Sequence, residues 1–541
     1  MTPDKPRSQA KRRLRLAFFW TLIIIAYVLL RVHLINIPLD RDEGTFGYIG
    51  QVILNHGTLY KDVVDSKPPV VFFLNAFLLL FSEPTAAGVH LFLQIYNFLT
   101  LIALFALARV YFRSSSAGFW TALIYAVFSS SRTIQGFTAS TEMFMLLPIT
   151  LSLLFAVLAA RNKNAGLVFA SGVSGAMACW TKQTAVFSIA FVLVYLATSR
   201  LTKEGRKWRP AADFFKTVMI WLSGAVSASL IVFFYFFYKG DFARFFYWNF
   251  TYNFFYAGPL YMGNKISVIF YKCLDIATEN FLLVLSGLVY GLWMALKKDR
   301  RAYFITGFFL FSFAGTLAGF AYAHYYAQIA PALALAAGFG INDILGRFQA
   351  RFRKPAYLSA AVLVLLVPLI ISRQYYFERD PDHFSRAYYG FNPFVEAQGI
   401  ANYIAQHTTP GDRVFIFGSE PEIYFYSRRM SATPFQMISY LTLAHPQYRK
   451  CQEEAWRDIS GNPPKYIIDI GLIQSVLWDK KADLSVFGRI DELIGRKYHL
   501  EKSVTIMRKA VPSKTVNHNL DYLTGWQQQH PSYQILLYRI N

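Results

Sequence analysis

The sequence predicts a polytopic α-helical membrane protein followed by a soluble α/β domain. Three observations predict it. Of 541 residues, 55% are hydrophobic and 16% charged, and the mean hydropathy is +0.31; that apolar excess is beyond a soluble domain's. The apolar residues fall in long runs, and Lys and Arg cluster in the short loops between them, the pattern of membrane topology. From about Arg373 the runs stop and a polar segment rich in short β-branched and aromatic stretches begins.

The formal net charge is +22, from 54 Lys and Arg against 32 Asp and Glu. In a soluble chain that would suggest nucleic acid. Here the cations cluster beside apolar runs, so membrane lipids are the expected partner and nucleic acid is not. Cys179, Cys273 and Cys451 are scattered, with no C-x-x-C and no metal-ligand spacing. The first apolar run is as long as a full span, and no small-residue cleavage site follows it, so it reads as an anchor rather than a cleaved signal.

Residues 1–15 form a basic, cytoplasmic N-terminus. Residues 16–372 form the transmembrane domain, with about eleven spans. The first runs from Leu16 to Ile37 and is followed by an outer polar loop, 38–70. Val70 to Phe81 is apolar but too short to span; it reads as an interfacial helix or a lead into span two. Pro68 and Pro69 suit its first turn. Spans two to seven follow at Ala86–Ala108, Ala117–Ser130, up to Ala160, Gly166–Trp180, Thr184–Thr198 and Val218–Tyr238. The aromatic-rich stretch after Lys239 reads as a loop lying in the membrane interface. Spans eight to eleven end near Lys297, Phe320, Ile344 and Ser372. The basic residues favour the N-terminus inside, so an odd number of spans puts 373–541 outside. In that tail GDRVFIFG, PKYIIDI, SVTIMRKA and YQILLYRI read as strands, and FVEAQGIANYIAQHT as a helix.

Charge is concentrated in the outer loop, which holds Asp40, Asp42, Glu43, Lys61, Asp62, Asp65 and Lys67. Asp40 or Asp42 can cap the helical pattern that follows, and first-turn acids suit a helix N-terminus. Asp40-Arg41-Asp42 also fits a loose D-x-D that holds a divalent cation through oxygen. Lys67, fixed by two prolines, reads either as a snorkelling lysine or as a cation for a lipid phosphate, with Asp65 orienting it. Glu142 opens span four, where an acid suits the helix dipole. Lys182 and His324-Tyr325-Tyr326 lie in other outer turns. There is no P-loop, no H-E-x-x-H and no G-x-S-x-G, and few charges lie inside the spans, which weakens an ion-coupled transporter.

These motifs resemble those of the GT-C glycosyltransferases that use polyprenyl-phosphate sugars, among them protein O-mannosyltransferases and lipid A aminoarabinose transferases. The resemblance rests on Asp42-Glu43-Gly-Thr-Phe46-Gly47, Lys67-Pro68-Pro69, Glu142, Trp180-Thr181-Lys182 and the run from His324 to Pro331. The segment Gly411 to Arg429 is similar to the tail domain of bacterial members. The resemblance implies a GT-C fold in a bacterial plasma membrane and a catalytic Asp42, with Glu43 beside it and Glu142 as a second acid. It implies that Lys67 and Tyr325 contact the donor's lipid phosphate, with His324, Tyr326 and Lys265 as further candidates and Asp65 and Lys182 in support. The implied reaction is inverting transfer of a hexose or pentose from a polyprenyl-phosphate donor to a hydroxyl on a glycan, lipid or protein. It requires no cofactor; a divalent metal at Asp40 and Asp42 stays open. A flippase for lipid-linked sugars, or a membrane scaffold, would share the spans without needing Asp42.

Overall fold

The structure is a computed structural model that describes residues 6–201, 211–256, 265–319, 322–347, 350–390, 392–477, 479, 481–507 and 532–541. It divides into two compact units. One comprises Met1–Ile35, Leu93–Ile231 and Tyr261–Glu378; the other comprises Asn36–Phe92, Val232–Leu260 and Arg379–Asn541. By packing, then, the polar loop and the segment around 232–260 group with the C-terminal domain.

The helices of the apolar part are α1 (Pro6–Leu29), α2 (Arg41–Leu54), α3 (Val70–Leu79), α4 (Ala86–Phe112), α5 (Ser115–Phe128), α6 (Thr141–Asn162), α7 (Ala165–Thr181), α8 (Ala185–Leu201) and α9 (Ala211–Tyr238). They continue as α10 (Phe242–Phe246), α11 (Tyr252–Tyr256), α12 (Lys265–Glu279), α13 (Phe281–Leu296), α14 (Arg300–Thr316), α15 (Ala330–Gly346) and α16 (Ala350–Ile371). Among the described residues, five helical stretches are long and apolar enough to cross a membrane, and six shorter apolar helices accompany them. Helix α3 stops at Leu79 and α4 starts at Ala86, so α3 is a separate short helix and not the start of span two. Part of the expected inner loop, 202–210, lies outside the described residues.

In the first unit, polar groups and small residues hold the apolar helices together. Ser152 and Ser171 each donate to the other's carbonyl at 2.8 Å, and the Trp221 indole donates to Ser171 Oγ at 3.2 Å. Lipid gives no hydrophobic drive between helices, so such bonds and close packing do the joining. Helices α7 and α9 meet through two glycines. A Cβ on Gly172 would lie 2.0 Å from the Trp221 carbonyl oxygen, and one on Gly224 would lie 2.2 Å from that of Phe169.

The second unit contains a five-stranded sheet of β1 (Arg413–Phe417), β2 (Met430–Ser431), β3 (Tyr466–Asp469), β4 (Tyr498–Met507) and β5 (Ser532–Ile540). Its order is β2-β1-β3-β5-β4. Strand β1 runs parallel to β2 and β3, with Val414 opposite Tyr466; β5 is antiparallel to both β3 and β4. The four strands expected from sequence are present among the described residues; the last three residues of SVTIMRKA, 508–510, lie outside them. Strand β2 is two residues long, too short to give an alternating pattern. The expected helix is a helix from Phe394 to His407. A further short helix, Glu422–Ser427, follows β1.

The aromatic stretch after Lys239 differs from expectation. It is helical, with a π turn at Tyr247–Thr251 between α10 and α11. Phe245, Trp248 and Tyr252 are buried, while Phe242, Phe246 and Phe254 are exposed. Phe245 stacks on Phe236 at 4.3 Å, Trp248 meets Tyr440 edge-on at 5.2 Å, and Tyr247 Oη bonds His445 Nδ1 at 2.7 Å. Residues 257–264 lie outside the described set.

Helix α2 is packed on two sides. Gly50 faces Asn75 and Ala76 of α3, and Gly44 and Gly47 face Glu422 and Phe425. Glu422 is fully buried, and neither of its carboxyl oxygens has a hydrogen-bond partner among the described residues. Burial, then the charges of Glu420 and Asp40, push its carboxyl well above the usual range, against the pull of Arg41.

Two outcomes are expected. Gly172→Ala forces a methyl group onto a backbone carbonyl and should destabilise the α7–α9 pair by about 1–3 kcal/mol; thermal unfolding of the detergent-solubilised protein measures it, and an unchanged midpoint refutes the packing account. Glu422 has a folded pKa raised above its unfolded value. Its neutral form therefore supports the fold at low pH, and that support is lost as pH rises through the raised value. Glu422→Gln should flatten the fall in thermal midpoint as pH rises above the ordinary carboxyl range, relative to the parent, and parallel curves would show that Glu422 contributes no such pH dependence.

Candidate active site

Asp40 starts α2 and caps it. Its Oδ1 accepts from the Glu43 amide at 3.0 Å, and Glu43 Oε2 accepts from the Asp40 amide at 3.1 Å. This reciprocal pair satisfies two amides that a helix start leaves open. Asp40 Oδ2 also accepts from Tyr389 Oη at 3.3 Å. Both oxygens of Asp40 are thus engaged in setting the helix. Among the described residues no three His, Cys, Asp or Glu side chains come together as a metal would need.

Glu43 points inward. Its Oε1 lies 3.0 Å from His90 Nε2 on α4, and both side chains are 1% exposed. Sequence reasoning missed His90, which sits alone in an apolar run and offers no motif. Asp42 points the other way. Its Oδ1 is 3.2 Å from Lys67 Nζ, and the two side chains are 33% and 24% exposed. The Lys67 ammonium also lies over the Phe46 ring at 5.1 Å, an arrangement that favours a cation. Of the two adjacent acids, therefore, one is a buried partner of a histidine and the other is open.

The turn that carries Lys67 is fixed by its backbone. Asp65 Oδ1 accepts from the Lys67 amide at 2.8 Å, and Tyr60 Oη donates to the Lys67 carbonyl at 2.7 Å. Asn253 donates to the Ser66 carbonyl at 2.6 Å, and Gln436 to that of Val64 at 2.7 Å. Asp65 is fully buried, and burial pushes its carboxyl up although Lys67 pulls it down. Asp65 therefore orients Lys67 through the main chain, leaving the ammonium for Asp42.

The other candidates lie in the first unit. Glu142 follows the Ser140 cap of α6 and is 1% exposed. Its carboxylate accepts from Lys182 Nζ and, at 2.9 Å, from Thr141 Oγ1, and His324 Nε2 lies 3.7 Å away. His324 Nδ1 is 2.7 Å from Gln135 Oε1, a residue that sequence reasoning did not single out. Tyr325 presents its ring to Lys182 Nζ at 4.1 Å and to the His324 ring at 4.9 Å. Glu142, Lys182, His324 and Tyr325 thus form one cluster. Tyr326 is fully buried, and its hydroxyl has no partner among the described residues. Lys265 opens α12, and its side chain lies outside what the structure describes.

Residues 66–236 match the family model described as dolichyl-phosphate-mannose-protein mannosyltransferase. The chain is similar to ArnT from Cupriavidus metallidurans bound to undecaprenyl phosphate, with 15% identity and a TM-score of 0.56 over 84% of this chain and 92% of that one. It is similar to the apo state of the same protein to the same degree, 15% and 0.56, over 85% and 93%. No curated protein matches it in sequence. The chain is an integral membrane protein with the GT-C membrane fold of these ArnT structures.

Proposed function

We propose that the chain transfers a sugar from a polyprenyl-phosphate donor to an acceptor hydroxyl, at the outer face of a bacterial plasma membrane, with inversion. The observation that carries the reading is the half-open ion pair of Asp42 and Lys67, 3.2 Å apart on elements fixed from several sides. A sugar or protein hydroxyl is a poor nucleophile at neutral pH, and a positioned carboxylate that takes its proton raises its reactivity. Asp42 is that base. The hydroxyl oxygen forms a bond to the anomeric carbon while the bond from that carbon to the phosphate oxygen breaks. Polyprenyl phosphate leaves with one more negative charge than it brought, and a cation at that oxygen stabilises the charge as it grows. Lys67 is that cation. A single displacement enters opposite the leaving group, as in inverting sugar hydrolysis. The donor's own phosphoester bond supplies the energy, so no cofactor is needed.

Glu43 is assigned here to holding α2 through His90, and Glu142 to holding Lys182 and His324. His324 and Tyr325 are the further contacts proposed for the donor phosphate. The ArnT structure with undecaprenyl phosphate supports a polyprenyl phosphate as the lipid. The sugar, whether hexose or pentose, and the acceptor, whether glycan, lipid or protein, are to be read from the product. The basic inner loops support a cytoplasmic N-terminus and an extracytoplasmic C-terminal domain. Cys451 is buried, so thiol labelling there is silent and a C-terminal alkaline phosphatase fusion is the better reporter.

The test separates base from cation. Asp42→Asn should lower the single-turnover rate by at least ~10²-fold, with donor affinity little changed. Lys67→Ala should weaken donor binding by about 10- to 150-fold, and Lys67→Arg should keep part of it. Glu142→Gln should lower turnover at normal membrane insertion. Donor affinity and rate are measured in nanodiscs with a radiolabelled polyprenyl-phosphate sugar, with and without chelator. Transfer by Asp42→Asn at the parent rate overturns the assignment; loss of donor binding alone, with donor still moved across the bilayer, favours a flippase.

A further inference from the structure

The parallel strands of the C-terminal domain run in the order β2-β1-β3. In such an order the chain leaves β1 towards one side and returns on the other, and a crevice opens beyond the carboxyl ends of β1 and β3. Doubly wound sheets hold their ligands there. In this chain the residues at that place are Ser419 and Glu420 after β1, and Ser475 after β3. They hold a side chain of the same protein. The Arg41 guanidinium donates through Nε to the Ser419 carbonyl and through Nη2, at 3.1 Å, to Glu420 Oε1. Glu420 Oε2 accepts from Ser475 Oγ at 2.6 Å, and Ser475 Oγ in turn accepts from the Ser419 amide at 2.8 Å. Glu420 is fully buried, so Arg41 is the charge that compensates it.

Arg41 is the first residue of α2 and the neighbour of Asp42. The rest of α2 is laid along the same segment. The Ser431 amide donates to Tyr48 Oη at 2.8 Å, and Gln51 Nε2 donates to the Phe425 carbonyl at 2.9 Å. The Leu39 amide donates to Tyr426 Oη at 3.0 Å. A Cβ on Gly44 would lie 2.5 Å from the Glu422 amide nitrogen, so the helix sits as close to residues 418–431 as a backbone can. Successive helix residues are turned by about 100°. A guanidinium fixed in two directions at Arg41 therefore sets the rotation of Asp42 about the axis of α2.

We infer that Arg41 is a positioning residue: the ligand crevice of the C-terminal sheet is used to grip it, so that the soluble domain sets the orientation of Asp42 rather than binding a small molecule of its own. The inference rests on the proposed role of Asp42. A misplacement of about 1 Å at a reacting group costs on the order of 10²-fold in rate. The single-turnover rate of Arg41→Lys, Arg41→Ala and Glu420→Gln is therefore expected to fall about 10- to 100-fold. Donor affinity stays near the parent's because Lys67 is untouched.

The experiment uses the full chain in nanodiscs, with donor affinity and single-turnover rate measured separately. Millimolar guanidinium chloride added to Arg41→Ala should leave its rate low, because a guanidinium in the crevice without the link to α2 does not orient Asp42; restoration of the rate would show that only the charge of Glu420 has to be compensated and would overturn the positioning role. Should Arg41→Ala not insert, Glu420→Gln, which keeps the shape and removes the charge, carries the rate and affinity test by itself. Parent-like rates in Arg41→Lys and Glu420→Gln, with Asp42→Asn inactive, overturn the positioning role and leave the proposed function standing. An equal loss of donor affinity and rate also overturns it, since that marks a donor contact or a general loss of structure. An active Asp42→Asn overturns the function itself, whatever the Arg41 variants do.

Discussion

The rest of the site depends on holding one short helix still while carboxylates crowd its first turn. Asp40, Asp42 and Glu43 lie at the start of α2, and Glu420 and Glu422 lie along the segment against which it packs. Like charges at such spacing repel, and burial makes each ionised one costly. Every member is dealt with differently. Asp40 is spent on the helix cap, Glu43 on His90, Glu420 on Arg41 and Ser475, and Glu422 is pushed towards its neutral form. Asp42 alone is left half-open, facing Lys67. The arrangement separates adjacent acids of one motif into a buried group and a partly exposed one.

This explains what was legible in the sequence. Spans and strands with long, regular patterns were readable, because burial in lipid or in a sheet dictates them residue by residue. The charged loop and Lys67-Pro68-Pro69 stood out because charge beside lipid needs a reason. The division of labour was not readable. Nothing in Asp42-Glu43 says which acid is buried; that depends on His90, nearly fifty residues later in an apolar run. Arg41 read as the middle of a D-x-D, whereas its partner is some 380 residues away in the tail. The aromatic stretch after Lys239 had the composition of an interface, and its burial against Tyr440 and His445 is a tertiary fact. Two-residue β2 is too short for any periodicity.

The two kinds of packing in the chain follow their solvents. In the first unit, the reciprocal Ser152–Ser171 bonds and the Gly172 and Gly224 contacts join helices where no water competes. In the second, α2 is fastened by charge and by amide bonds to a sheet whose strands Val414–Phe417 and Tyr466–Ile468 are nearly all buried. A sheet is a stiffer support for a loop than another loop would be, which gives a physical reason for a C-terminal domain in a chain whose proposed chemistry lies elsewhere in sequence.

On the proposed reading, the Asp42–Lys67 pair is the resting state and not the working one. An ion pair this open is worth about 0–1 kcal/mol, so it is easily exchanged. A lipid phosphate arriving at Lys67 offers charge-assisted bonds of a shorter, stronger kind, and it takes the ammonium from Asp42. Asp42 then gives up that contact as the donor binds. The proposed chemistry needs Asp42 to stay in place when Lys67 lets go, and the inferred grip on Arg41, the residue just before Asp42 in the first turn of α2, serves that need.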